Sequence, residues 1–325
     1  MQKKHPKQYK PIDLTQIKRI PIRTRKNLVQ KEQFARLPQA GASFKEFLDS
    51  LPPILAGLEF PKLVSWISEA VKQGHPVGLG MGAHVIKCGL SPVIQEWMEQ
   101  GILSILAFHG ACAIHDLEFA MIGESSEDVK RELDLAQFGM AEETGILFGE
   151  ALQMAKKEKI GLGQALGKIA LQQPFASLSI MATAAKIGFP LTVHVALGTD
   201  IVHMHPETDG AILGESSLMD FRILCQALMD FEFGVWINLG SAVILPEVFL
   251  KSVAVARNLG RRFEGLKTAN LDMLRHYRAT QNVITRPASQ GLHITGHHEL
   301  LVPMLRLALL EALKEENCSS TPKPQ

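Results

Sequence analysis

The stretch Val77-Gly78-Leu79-Gly80-Met81-Gly82-Ala83-His84 decides the reading of this chain. A short apolar run closed by glycine and small residues, then giving way to a helical pattern, is the signature of a buried parallel strand feeding a helix. The same grammar recurs three times. Ile105-Leu106-Ala107-Phe108 precedes His109-Gly110-Ala111. Leu191–Leu197 precedes Gly198-Thr199-Asp200, and Val235-Trp236-Ile237-Asn238-Leu239 precedes Gly240-Ser241-Ala242. Strands of this kind alternating with helices predict an α/β fold: a doubly wound, mostly parallel sheet flanked by helices. In such open sheets ligands sit outside the carboxyl ends of the strands, where these small and polar residues collect.

Working outward, Ser91-Pro92 starts a helix that Gly101 closes. The second strand is expected over Ile102–Phe108. Ser125 and Asp128 form a capping-box-like opening of the next helix. Residues 130–189 read as mostly helical, with glycine joints. Upstream, a helical region over 43–74 is expected to break at Pro52-Pro53 and Pro61. Downstream, helical spacing covers Leu218–Phe231 and a second helix runs from Pro246 to about Leu259. Short strands are expected around Gly265–Thr268 and near Asn282–Thr285, and a last helix runs from about His297 to Glu316.

The chain has 325 residues, 46% apolar and 21% charged, the profile of an ordinary globular protein. The expected organisation is a basic N-terminal arm over 1–43, one α/β nucleotide-binding domain over 44–316 and a polar tail over 317–325. Residues 1–31 hold ten Lys/Arg against one acid, a net of +9, and the remainder holds 24 bases and 32 acids, a net of −8. Without aromatic interleaving or a nucleic-acid motif, the arm reads as a segment that packs on a neighbouring subunit and not as a nucleic-acid binder. No apolar stretch is long enough to span a bilayer, and no signal-peptide core is present, so a cytoplasmic protein with no membrane partner is expected. Cys88, Cys112, Cys225 and Cys318 are widely spaced and read as reduced thiols.

Three segments carry chemistry. Gly78–Gly82 allows close approach of a phosphate or ribose, or simply a tight turn, and His84 beyond it is a ligand contact or a structural histidine. The segment from His109 to Glu118 places His115, Asp116 and Glu118 within one helical turn, either to hold a ligand's hydroxyls and amines or to cap a helix. Val193–Gly210 holds His194, Asp200, His203, His205, Glu207 and Asp209. It lacks fixed-spacing metal motifs, so a histidine–carboxylate pair for proton transfer or ligand binding is expected, and no metal ligand is assigned. His297-His298-Glu299, after Gly296, is either a further contribution to the site or the capped, exposed start of the last helix, and the second reading is the simpler.

Taken in order, these strand-end motifs resemble the deoxyhypusine synthase family. Leu79-Gly80-Met81-Gly82-Ala83-His84 is similar to the family's L-G-x-T-S-N, and His109–Asp116 to T-T-A-G-G-V-E-E. Asp200-Ile201-Val202-His203-Met204-His205 is similar to D-M-I-Y-F-H, and Leu239–Leu245 to L-G-G-G-V-V-K. Thr268-Ala269-Asn270 is similar to T-A-Q. The resemblance spans roughly residues 75–275 and implies a Rossmann-like fold that binds NAD. It also implies a homotetramer and chemistry on a polyamine, with transfer of an aminobutyl group. It implies catalytic roles for His205, Asp116 and Asp200. Contacts to NAD fall to Gly80, Gly82, Ala83, His84, Gly110, Ala111, Gly240, Ser241, Thr268 and Ala269. One departure bears on the reaction. The last position of L-G-G-G-V-V-K carries the family's imine-forming lysine, and here it is Leu245, which cannot form a Schiff base. The expected function is therefore that of an NAD-dependent enzyme acting on a small molecule, an amine or a polyol, without a lysine imine. A non-catalytic nucleotide binder and a metal-dependent hydrolase using the 194–209 histidines are the alternatives.

Overall fold

The computed structural model describes residues 8–314; residues 1–7 of the arm and residues 315–325, with Cys318 and the polar tail, lie outside the described residues. The elements run α1 (Phe44–Ser50), α2 (Ala56–Lys72), β1 (Val77–Met81), α3 (Ala83–Lys87), α4 (Ser91–Glu99), β2 (Ile105–His109) and α5 (Gly110–Ile122). There follow α6 (Val129–Asp134), α7 (Glu142–Glu158), α8 (Leu162–Ala170), α9 (Ile180–Ile187), β3 (Leu191–His194) and α10 (Gly210–Leu228). The chain continues through β4 (Val235–Leu239), α11 (Ile244–Asn258), β5 (Lys267–Asp272), α12 (Tyr277–Ala279), β6 (Gln290–Thr295) and α13 (His298–Lys314).

The six strands form one sheet in the order β3-β2-β1-β4-β5-β6, and every pairing is parallel. This is the doubly wound, Rossmann-like α/β arrangement, with its topological switch point between β1 and β4. Alternate residues feed two apolar layers. Leu79, Met81, Leu106, Phe108, Ile237 and Leu271 join the larger core under α2, α4, α5, α8, α9 and α13. Ile105, Ala107 and Trp236 join a smaller one with Leu245, Phe249 and Val253 of α11.

The two glycines inside β1 belong to that smaller layer. A Cβ on Gly78 would stand 2.6 Å from the Trp236 ring, and one on Gly80 would stand 3.0 Å from it. The indole fills the groove they leave and stacks on Phe249, centroid to centroid 4.5 Å. Glycine here makes room for a neighbouring strand's tryptophan.

Strands β1, β3 and β4 begin at their expected residues, and β2 and β5 begin slightly later than expected. The strand expected near Asn282–Thr285 does not form: Thr280–Thr285 makes a helical turn, with Val283 buried. The sixth strand lies further on, at Gln290–Thr295, where Leu292 and Ile294 face the core. A short apolar cluster does not distinguish a strand from a buried turn of helix, and the Pro287 that follows it closes the wrong element. Pro61 does not break its helix; it sits inside α2. No helix among the described residues is long and apolar enough to cross a membrane.

Candidate active site at the carboxyl edge of the sheet

A cavity of about 430 Å³ opens beyond the carboxyl ends of β2 and β3. One face of α5 forms its floor: Ala111, Ile114, His115, Glu118 and Ile122 recur at helical spacing and all line it. Lys87 from α3, Ser125 and Glu127 from the loop before α6, and Thr199-Asp200-Ile201 close the walls.

A connected polar chain crosses the floor. Ser125 Oγ donates to Glu118 Oε2 at 2.6 Å and lies 2.6 Å from His115 Nδ1. The single hydroxyl proton goes to the carboxylate, so His115 Nδ1–H donates to Ser125 Oγ. That tautomer leaves His115 Nε2 with a lone pair, the form a general base requires. Burial raises the Glu118 carboxyl, but the neighbouring His115 and the hydrogen bond from Ser125 outweigh it and hold the group below its ordinary value. Glu118 is therefore an anion that orients the serine and, through it, the imidazole.

At the head of α5, His109 Nε2 accepts from the Ala83 N–H at 3.3 Å. Burial, helped by His115, lowers the His109 imidazole to about 4, so it is a neutral acceptor. Asp200 packs its carboxylate against Gly110, where a Cβ would overlap it. Burial raises the Asp200 carboxyl, and His203 opposes the shift. Asp200 Oδ2 and His203 Nε2 are 3.9 Å apart, and neither has a hydrogen-bond partner among the described residues. His203 Nδ1 accepts from the Gly198 and Asp200 N–H groups, which puts the ring proton on Nε2.

The residues read as catalytic from sequence separate. Asp200 lines the cavity. Asp116 does not: it points into the core, where its carboxylate accepts from Ser179 Oγ at 2.5 Å, Ile180 N at 2.8 Å and Met181 N at 2.9 Å, capping α9. Burial raises it to about 6, against those hydrogen bonds. His205 does not line the cavity either; its ring packs against Gly145 and its Nε2 bonds the Gly139 carbonyl at 2.8 Å. His194 is buried in β3, with Nε2 3.0 Å from Thr192 Oγ1. His194, His203 and His205 thus each engage a separate partner and do not converge as a ligand set for the hydrolase alternative.

The ten positions assigned to NAD also divide. Gly82, Ala83, His84, Gly110, Ala111, Gly240 and Ser241 gather at the carboxyl edge around the switch point. Gly80, Thr268 and Ala269 lie lower, inside buried strands. Internal contacts already occupy the glycine cradles. A Cβ on Gly82 would overlap the Gly240 carbonyl oxygen, and one on Gly240, at φ +68°, would stand 2.6 Å from His298 Cε1. Ser241 Oγ accepts from Leu245 N at 3.3 Å, the first turn of α11. Of the assigned positions, Ala83, His84, Ala111 and Gly240 stay at least partly accessible at this edge, with Ala242 beside them.

His115 and Glu118 lie in the segment singled out from sequence and line the cavity, whereas the resemblance gives the catalytic role there to Asp116, which does not line it. Ser125 and Lys87 carry no functional signal of their own. The helical pattern does hold the answer: 111, 115, 118 and 122 share one face, whereas 116 lies on another.

No family model matches the chain. A segment of 64 residues is 38% identical to an ornithine cyclodeaminase of Methanothermobacter thermautotrophicus, covering 20% of this chain and 16% of that relative's length. Among solved structures, a protein assigned to the LOR/SDH group from Methanococcus maripaludis S2 superposes with TM-score 0.51 at 16% identity, over 84% of this chain and 71% of that one. A protein assigned as a deoxyhypusine synthase from Entamoeba histolytica gives 0.51 at 11%, over 83% and 94%. Unliganded AgrE gives 0.51 at 15%, over 78% of this chain but only 32% of AgrE. At these identities the likeness is one of fold.

Proposed function

We propose that this chain is an NAD-dependent enzyme that oxidises an amine or a polyol in the cavity over α5, without passing through a lysine imine. The observation that carries the amine reading is the lining of that cavity. Glu118, Glu124, Glu127 and Asp200 stand against Lys87 as the one permanent cation, between apolar walls from Ile114, Ile122, Val129, Phe138 and Ile201. Carboxylates separated by hydrocarbon walls match ammonium groups separated by methylenes. His115, held as the Nδ1–H tautomer, supplies the base.

The dinucleotide is assigned to the switch point between β1 and β4, over Ala83, His84, Ala111 and Ala242. Support comes from the strand order and from the resemblance to deoxyhypusine synthase, since the glycine cradles are filled. When bound, NAD would supply the hydride acceptor; removing the proton falls to His115. The test is thermal melting with NAD, NADH and ATP, followed by NADH formation over a panel of amines and polyols. Ligand at a hundredfold excess over its Kd should stabilise the fold by about 2.7 kcal/mol. No shift with any dinucleotide removes the cofactor assignment.

We further propose a homo-oligomer, of which a tetramer is the form the resemblance implies. The described part of the arm, residues 8–43, carries Ile12, Leu14, Ile17, Ile20, Ile22 and Leu28 exposed in the single chain, interspersed with lysine and arginine. A second copy of the acidic body would cover them. Light scattering that reports a monomer at low and moderate salt rejects this.

A further inference from the structure

We infer that His84, Cys88 and Glu299 form a binding site for a single divalent transition-metal ion, of which Zn²⁺ is the best chemical match. The three residues come from opposite ends of the sequence. His84 and Cys88 are four apart, so the short helix α3 and its C-cap set them on one face. Glu299 is in the first turn of α13, after the last strand. The parallel sheet brings both helix starts to the same carboxyl edge.

The spacing is that of a coordination shell. Cys88 Sγ lies 3.4 Å from His84 Nε2 and 3.8 Å from Glu299 Oε2. All three donor atoms fall within 4.8 Å of one another. A tetrahedral ion with ordinary Zn–N, Zn–S and Zn–O bonds holds its ligand atoms roughly 3.4–3.6 Å apart. Closing the shell therefore needs only small side-chain rotations. The donors also suit one another: imidazole, thiolate and carboxylate together favour a borderline ion over Mg²⁺ or Ca²⁺, which take oxygen alone. His84 and Glu299 are exposed and Cys88 is half-buried, so an ion can enter, and three protein ligands leave a fourth position open to solvent.

A neighbouring buried group supports the placement. His298 is 1% exposed, with its ring 5.6 Å from that of His84. Its Nε2 donates to the Leu271 carbonyl at 3.3 Å, so its Nδ1 keeps a lone pair, and that atom has no hydrogen-bond partner among the described residues. A buried acceptor left unpaired costs about 1–3 kcal/mol. A cation and its bound water beside His84 would relieve that cost. His297 Nδ1 lies 3.8 Å from Glu299 Oε1, the carboxylate oxygen other than the one nearest Cys88.

The test titrates the reduced full-length protein with Co²⁺ and needs no nucleotide, so its result is independent of the NAD reading. The wild type should bind one equivalent with a near-ultraviolet thiolate-to-cobalt band that Zn²⁺ displaces. Cys88→Ser should abolish the band while circular dichroism stays native. His84→Ala and Glu299→Gln should each weaken Co²⁺ binding by about tenfold or more. The inference is overturned by the absence of a band in the wild type or by a band that survives Cys88→Ser. Undiminished affinity in both His84→Ala and Glu299→Gln overturns it too, since the ion would then be held by a thiol alone.

Discussion

The carbonyl of Gly240 occupies the space into which a side chain on Gly82 would grow. Gly82 also donates its N–H to the Leu239 carbonyl at 2.8 Å, so the turns after β1 and β4 are locked backbone to backbone across the switch point. The backbone of Gly82 is ordinary, at φ −86°, so what demands glycine is contact and not conformation. Substituting Gly82→Ala should therefore destabilise the fold by about 1–3 kcal/mol, the usual cost of overpacking. Urea unfolding reads this directly. A loss under about 0.5 kcal/mol would show that the two turns part freely, which would leave Gly82 open to a ligand.

Asp220 should make the fold less stable as pH rises. It is buried on α10, where Oδ2 accepts from Val193 N at 2.7 Å and Gly163 N at 2.8 Å while Oδ1 has no partner among the described residues. Burial raises the carboxyl from 3.8 to about 7, against those two bonds. The folded state thus holds a proton that the unfolded state releases. The stabilisation is complete below about pH 4 and is lost as pH climbs through about 7. Asp220→Asn removes the titration. Measured between pH 5 and 8, the variant should gain on the wild type by on the order of 2 kcal/mol. An unchanged difference at the two pH values would mean that Asp220 ionises normally. Asp116 titrates in the same direction, so the paired comparison and not the wild-type slope is the informative quantity.

The sheet is legible in the sequence because buried parallel strands announce themselves as apolar runs closed by glycine, and β1 and β4 show this almost to the residue. The sixth strand is not legible, since Gln290–Thr295 carries only two core-facing apolar residues and its neighbour Val283-Ile284 looks more strand-like than it is. At the site, the sequence points to segments that border the cavity, and within them to Asp116 and His205, which do not line it. Asp116 and His115 are adjacent in sequence but about 100° apart around α5. Only tertiary packing decides which of them meets α9 and which meets the cavity. The glycines mislead for a related reason. Gly80, Gly82, Gly110 and Gly240 each admit a partner from elsewhere in the chain: Trp236, a carbonyl, Asp200 and His298. Glycine records that something comes close, without recording what.

In the cavity, His115→Ala should lower the rate of NADH formation with an accepted amine by about 10²–10⁴-fold, the usual contribution of a general base. Ser125→Ala should cost less, since Glu118 lies 3.6 Å from His115 and can take over the orientation directly. Glu118→Gln should mainly raise KM for a cationic substrate and leave that for a neutral polyol unchanged. Steady-state kinetics on the three variants separate these outcomes. Equal activity of His115→Ala and wild type would place the base elsewhere, with Asp200 next in line.

Treating the protein with NAD, spermidine and borohydride should leave no aminobutyl adduct on any lysine. At the position where the resembled family carries its imine-forming lysine, Leu245 is 1% exposed and packs beneath β1, 3.5 Å from where a Cβ on Gly80 would stand. That pocket is closed by Trp236 and Phe249, so even a lysine placed there would have to drive an ammonium through the smaller apolar core, at a cost of several kcal/mol. Lys251, two turns on, is paired with Glu247 on the exposed side of α11. Lys87 is the only lysine among the residues lining the cavity, and its helix reaches the rim from the β1 side. It is therefore the position where peptide mapping should look first. An adduct at Lys87 would keep the cavity as the active site but convert the reaction from plain oxidation to group transfer through an imine. An adduct on any lysine outside the cavity would displace the active site itself. With neither found, and NADH formed from an amine, oxidation without covalent capture stands as the chemistry that Leu245 leaves open.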